Sequence, residues 1–365
     1  MPAWGEILRE IGQAAQLGPQ LGGASPWDFV RRKYIIQLQQ LRGRAIILYA
    51  TKWTQAGGAA SPDMVSITDE DLQALMTVMN GVTEPKLDLI LHSPGGSIEA
   101  AEALVTYLRS KFSDICVIVP QQAMSAATML SCAADTIVLG KHSFLGPTDP
   151  QFILQTEVGA RFVTAQNIED QFARAQKECA DPTKIGAWLP ILKQYGPDLL
   201  QKCANATKLS RSLVAEWLAK YMLKGTPGSK KKADEIADWI SSHKHFQTHG
   251  RHLSREDLRA KGFTNILNLE DVPGLQDPVL SAFHATTITF DATPAVKLVE
   301  NHLGKAFIKM MQMPQMMIPQ QLMQAPRPAQ PPQPAQPPAT PQPQLPAPDP
   351  KRSTPQNSDL PTTGI

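Results

Sequence analysis

Three short stretches hold residues that could together make and break an acyl bond. In "QQAMSAATML", Ser125 follows closely on the apolar run "CVIVP". In "HSPGGS", Gly95 and Gly96 follow another apolar run, and in "FLGPTDPQF" Asp149 stands between Pro147 and Pro150. A nucleophilic serine needs a base, an acid to orient that base, and donors for the oxyanion that forms. Ser125 falls where a strand should end and a helix begin. Unpaired amides and the positive end of the helix dipole gather there. The amide of Ala126 can face an oxyanion, and Ala123, Ala126 and Ala127 leave room for a substrate backbone. Successive glycines permit conformations that turn amides toward a ligand, so Gly95 and Gly96 are a second amide source. A proline-stiffened loop presents Asp149 at low entropic cost, where it can orient a histidine.

Each feature also has a plainer account. Ser125 alone reads as a helix N-cap, the Gly-Gly pair as a tight turn, and Asp149 as a turn former. The base is open at this level. His92, His142, His243, His245, His249, His252, His284 and His302 are all available. The run "HKHFQTHGRH" also admits a metal reading, but no H-E-x-x-H pattern appears, and no metal or organic cofactor is expected.

The elements that must position these residues alternate in type. Strands are expected at 45–51, 87–91, 116–120 and 136–140, and helices at 69–81, 97–111 and from about Ser125. This alternation implies right-handed crossovers and a mostly parallel sheet with helices on both faces. Both candidate amide sources then lie at carboxyl ends of strands, where such sheets bind ligands. Beyond Phe152 the chain reads as mainly helical, with "RFVTAQNIEDQFARAQKE" and "LSRSLVAEWLAKYML" amphipathic. At the N-terminus, Trp4, Ile7, Leu8 and Ile11 share one helical face, which is expected to pack on the chain's own domain.

Composition bounds the rest. The chain has 365 residues and a net charge of +2, so no basic field points to nucleic acid. The start "MPAWGEILREIGQAAQLG" is not a secretory signal, and no stretch approaches the roughly 18 apolar residues of a membrane span. Cys116, Cys132, Cys179 and Cys203 lack C-x-x-C spacing and read as reduced, buried thiols, in keeping with a cytoplasmic protein. From Met310 onward the chain is Met/Pro/Gln-rich, with 16 of the 32 prolines in the last 56 residues, and is expected to be disordered. The domain division is therefore an N-terminal helical segment over 1–34, a catalytic domain over 35–309, and a tail over 310–365.

Taken together, "HSPGGSIEAAEAL", "AMSAATML" and "FLGPTDPQ" resemble the serine dehydrogenase proteinase family, a relative of ClpP and signal-peptide peptidase, over roughly residues 35–305. The resemblance implies an α/β, ClpP/crotonase-like fold of repeated ββα units with a mostly parallel sheet, a helical C-terminal part and the disordered tail. It implies a serine peptidase, often oligomeric, whose triad in Ser, Asp, His order maps to Ser125, Asp149 and, through a T-H pair ahead of a short helix, His249. His245, His252 and the more distant His284 are alternatives. The oxyanion donors are expected near Gly95, Gly96 and Ala126. A serine–lysine dyad using Lys141 of "LGKHSF" is the rival mechanism that signal-peptide peptidases suggest. The other functional readings are an acyl-CoA enzyme of the crotonase type and an idle scaffold. In the scaffold, the tail would recruit proline-binding partners, or the termini a membrane-associated one. The expected partners are otherwise a peptide or protein substrate and further copies of the chain.

Overall fold

Apolar runs flanked by helices build a seven-stranded central sheet. The computed structural model describes residues 2–55 and 61–311. From edge to edge the strands are Ala306–Met310, Ala295–Asn301, Ala45–Thr51, Lys86–His92, Asp114–Val119, Thr136–Leu139 and Ile266–Asn268. The last five run parallel, and the first two join them antiparallel. Side chains alternate between the faces of the sheet. Ile47, Leu89, Val117 and Ile137 therefore enter one core with the helices Glu70–Met79, Ile98–Lys111, Ala126–Cys132 and Leu199–Lys220. Ile46, Ile90, Ile118 and Val138 enter the other, under Pro26–Arg42 and Gln276–Ala292. Each such buried side chain contributes about 1.5–3 kcal/mol, so neither face could be left uncovered. The expected α/β architecture with a mostly parallel sheet is what the chain adopts.

Two buried charge clusters lock the antiparallel edge to the rest. Arg31 donates to Glu300 at 2.5 Å, both side chains being fully buried. Lys297 donates to Asp71 at 2.7 and 2.8 Å and to the Ser66 carbonyl at 2.8 Å. Burial lowers the Lys297 pKa, and the Asp71 carboxylate opposes that shift. Asp71 also accepts from the Thr68 amide at 2.8 Å and Tyr49 Oη at 3.0 Å. Residues 66–68 are thereby pinned to the sheet, which matters for the glycine turn below.

Three sequence readings change. The stretch 151–164 is a β-hairpin, Gln151–Thr156 with Gly159–Thr164, and the helix starts only at Ala165. "RFVT" therefore belongs to a strand. Phe152, Leu154 and Val163 alternate inward onto a small core of Ala165, Ile168, Leu199 and Cys203, and Gly159 at φ 99° closes the turn. The N-terminal stripe is split. Ile7 and Ile11 are buried against the helices 26–42 and 276–292, while Trp4 and Leu8 are exposed. The helix Pro26–Arg42 runs through residue 34, so it joins the proposed N-terminal segment to the main body, and the last strand continues to Met310. The rest of the Met/Pro/Gln tail lies outside the described residues. Among the described residues, no helix is long and apolar enough to cross a membrane.

His92 ends its strand fully buried against Trp53 and Phe283, with ring centroids 5.6 and 4.9 Å away. Burial pulls its pKa from 6.5 down to about 3. Between those values the unfolded chain binds a proton that the folded chain refuses, so stability falls as pH falls, by about 1.4 kcal/mol per unit. Urea unfolding of the wild type should lose roughly 2 kcal/mol between pH 6.5 and 5 from this group. In His92→Phe that difference should shrink by the same amount; an unchanged difference would remove His92 as the cause.

Candidate active site

Ser125 occupies the N-cap position of the helix Ala126–Cys132, but its hydroxyl makes no cap bond. Its backbone is at φ 52°, ψ −119°. Positive φ is costly for a residue with a Cβ, on the order of 1–3 kcal/mol, and persists only where the surroundings impose it. The N-cap account of Ser125 therefore fails, because a cap residue uses its oxygen and sits in extended backbone. The surroundings are a helix whose seven residues are all buried, and Gly95 pressed against the turn. A Cβ on Gly95 would lie 2.6 Å from the Met124 oxygen, 2.7 Å from the Ala126 nitrogen and 2.8 Å from the Ser125 Cβ. Gly95 itself is at φ 97°.

A row of bridged residues crosses the mouth of the sheet. Ser93 pairs with Ala123, Ala123 with Leu145, and Leu145 with Leu253. The first two pairings are parallel and the last is antiparallel. Two residues past Ala123 is Ser125, and two and three past Ser93 are Gly95 and Gly96. Four past Leu145 is Asp149; four before Leu253, on the same side because that strand runs backward, is His249. Thr128 Oγ1 reinforces the row, donating to the Ala123 carbonyl at 2.7 Å and accepting from the Gly146 amide at 2.9 Å.

Asp149 is buried, and both its oxygens are engaged. His249 Nδ1 is 2.8 Å from Oδ1, and His243 Nδ1 is 2.8 Å from Oδ2. The loop before Asp149 is held by the Thr148 amide on the Ile240 carbonyl at 2.9 Å and by Ser210 Oγ on the Thr148 carbonyl at 2.8 Å. The two histidines face one carboxylate because Ser242 caps the turn His243–Phe246 and Gln247, at φ 62°, reverses the chain. The histidine-rich run was visible in the sequence. The special place of His243 within it was not, since nothing in the spacing announces that reversal.

The other candidates lie elsewhere. His245 is exposed beside Trp239 and Phe246, and His252 stacks on Phe144 at 5.1 Å. His284 sits in the helix Gln276–Ala292, where burial lowers its pKa, and His302 pairs with Glu84 at 3.1 Å. Lys141 is exposed, and its charge acts on Glu270, a carboxylate engaged by Arg255 at 2.9 Å. A desolvated lysine base has no counterpart there. Among the described residues, no three metal-ligating side chains come together at a metal-binding geometry.

The glycine turn separates the two expected donors. The Gly95 amide already donates to Ser93 Oγ at 3.1 Å, which removes it from the oxyanion set. The Gly95 carbonyl and the Ser97 amide pair with Ile67, at 2.7 and 3.0 Å. An extended chain alternates the direction of its amides, so Gly96 N–H turns away from Ile67. Neither the Gly96 nor the Ala126 amide has a protein acceptor among the described residues. The Ile67 pairing therefore occupies this edge of the glycine turn.

Comparison with known proteins bears on the same segments. Residues 24–179 match the ClpP-like SDH-type serine proteinases. That matched segment contains Gly95, Gly96, Ser125 and Asp149, and stops short of both Asp149-bound histidines. Two uncharacterized proteins of Methanocaldococcus jannaschii are similar. One is 33% identical over 125 residues, 34% of this chain and 44% of that protein; the other is 30% identical over 156 residues, 42% and 51%. The chain thus spans about half the length of the curated relatives it matches. Among solved structures, a mutant of the 1510-N membrane-bound stomatin-specific protease overlaps with TM-score 0.33 at 14% identity, covering 58% of this chain and 79% of that one. A ClpP1 mutant from Listeria monocytogenes overlaps with TM-score 0.29 at 15% identity, covering 66% and 99%.

The Gly95 packing is directly testable. Gly95→Ala must relieve a clash with backbone atoms and strain a left-handed residue, costing roughly 2–5 kcal/mol in all. Thermal unfolding should show a large drop in Tm; a melt within about 2 °C of the wild type would mean the close approach is absent in solution.

Proposed function

We propose that the chain is a serine peptidase in which Ser125, Asp149 and His249 act as a triad. The observation that carries this reading is the 2.8 Å contact between His249 Nδ1 and Asp149 Oδ1, across 100 residues of sequence. With Nδ1–H donating to the carboxylate, Nε2 carries the lone pair and serves as the base. Ser125 Oγ attacks the scissile carbonyl and gives its proton to Nε2. The oxyanion accepts from the Gly96 and Ala126 amides, which have no protein acceptor among the described residues. His249 then protonates the departing amine, leaving an acyl-serine. Water hydrolyses that ester with His249 again as base, and Asp149 stabilises the imidazolium in both halves. Among the described residues Ser125 Oγ has no hydrogen-bond partner, and serine–imidazole bonds in such sites commonly tighten only with substrate in place.

The substrate is an extended peptide or an unfolded protein segment. A reducing, cytoplasmic setting fits the four unpaired cysteines. We further propose that the chain assembles with copies of itself through the hairpin 151–164. Its outward face carries Ile153 directly opposite Phe162, both about half exposed, and Val158 at its turn is also exposed.

A fluorophosphonate probe should label the wild type and not Ser125→Ala, and peptidase activity should fall by at least about 10⁴-fold in that variant. His249→Ala should lose labelling, while His245→Ala and His252→Ala keep it. Well-folded wild-type protein that resists the probe would end the serine-nucleophile reading. For the assembly, light scattering should give a multiple of the chain mass that falls in the double variant Ile153→Asp, Phe162→Asp; a monomeric wild type would dismiss it.

A further inference from the structure

A triad uses one oxygen of its acid, yet Asp149 is held at both. The His243 bond to Oδ2 is as short as the His249 bond to Oδ1, 2.8 Å each. Their settings differ. The His243 side chain is 9% exposed and that of His249 16%, with Asp149 at 4%. His243 is also the more firmly held. It opens the turn capped by Ser242, and its carbonyl accepts from the Gln247 amide at 2.7 Å. His249 lies beyond that turn, flanked by exposed Thr248 and Gly250. His243 is thus the more enclosed of the two imidazoles and His249 the more accessible.

Resting on the peptidase reading above, we propose that His243 is a positioning residue that holds Asp149 Oδ2 so that Oδ1 stays aligned on His249. A carboxylate bonded at one oxygen can rotate about its Cβ–Cγ bond. A second N–H on the other oxygen, from a fixed ring, removes that freedom. The second donor also satisfies an oxygen that burial keeps from water, leaving Oδ1 to His249. Burial supports the arrangement from the other direction: an ionised carboxylate this enclosed needs donors on both oxygens, and the adjacent Thr148 amide is committed elsewhere. That amide goes to Ile240. His243 transfers no proton to substrate in this scheme.

The test compares His243→Leu, which removes the donor, with His243→Asn, whose side-chain amide offers an N–H near the position of Nδ1. His243→Leu should lower kcat on a peptide substrate by about 10–100-fold with KM within about twofold, as loss of an orienting partner behind a working histidine commonly does. His243→Asn should recover most of that loss. Both variants are first checked for a cooperative thermal melt. A wild-type kcat in His243→Leu would overturn the proposal. So would a His243→Asn variant that melts cooperatively yet is as slow as His243→Leu. So would a His243→Leu variant as inactive as Ser125→Ala while His249→Gln turns over normally, because His243 would then be the base. A second readout is independent of activity. Proton NMR of the chain with nitrogen-15-labelled histidine should show two hydrogen-bonded Nδ1 protons that both move in Asp149→Asn, one of which is lost in His243→Leu. If the wild type fails to react with the fluorophosphonate probe but shows both signals, the peptidase reading fails and the double contact stands. If it reacts and shows only the His249 signal, the positioning role of His243 is refuted alone.

Discussion

The row of paired residues Ser93, Ala123, Leu145 and Leu253 is the constraint on which the candidate site depends. Backbone pairing sets neighbouring strands about 4.8 Å apart and fixes which residue faces which. Each of the four segments then carries its chemistry a fixed number of residues from the row. Three run the same way and bring Gly96, Ser125 and Asp149 to one side. The fourth runs backward, which is why His249 comes before its bridge residue and Asp149 after its own. A slip of one residue in any pairing would turn the corresponding side chain to the other face. The pairing therefore does more than join segments; it sets the geometry of groups 100 residues apart.

Strain at Ser125 is affordable because its neighbours are rigid. The positive φ at this residue is imposed from one side by a wholly buried helix and from the other by Gly95, whose missing side chain lets two backbones touch. Ile67 clamps the far edge of the glycine turn, and Ile67 is itself held by the Lys297–Asp71 cluster through residues 66 and 68. A continuous path of short contacts thus leads from a buried ion pair in the sheet to the amide of Gly96. Removing one partner of such a pair costs several kcal/mol because a buried charge is left uncompensated, so residues 66–68 depend on both Lys297 and Asp71 being present.

The central sheet was legible because its signals are local. Apolar runs of strand length alternating with amphipathic helices leave little choice but a parallel sheet covered on both faces, and Ser125, Gly96 and Asp149 each sit at a strand end by simple counting. The hairpin 151–164 was missed for an opposite reason. "RFVTAQNIED" is continuous with a good helix, and only the pairing of 151–156 with 159–164 makes its first residues a strand. That pairing is a tertiary preference that overrides local propensity. The Gly95 amide looked available because a glycine pair permits outward amides, but it is taken by Ser93 two residues away, while the Gly95 carbonyl and Ser97 amide are taken by Ile67, which only folding brings near. The histidines show the same limit. A run of them marks a region, while a single left-handed residue, Gln247, decides which two reach the carboxylate.

The division between residues 24–179 and the rest has a chemical meaning. The matched segment carries the strained Ser125, Asp149, and Gly96 and Ala126, whose amides have no protein acceptor among the described residues. The imidazoles come from the helical part beyond, through an antiparallel bridge at Leu253 and the turn around Gln247. In the proposed triad the base is tied to that segment by the Leu253 bridge, by the Asp149 carboxylate and by the stacking of His252 on Phe144. Two histidines share that carboxylate. With both oxygens of Asp149 occupied, the carboxylate cannot turn to follow a shifted His249, so the loop 243–253 must return to one conformation for the bond to form. In the triad proposed above, the buried His243 then makes the acid selective for one position of the part-buried His249, which aligns a base brought from 100 residues away.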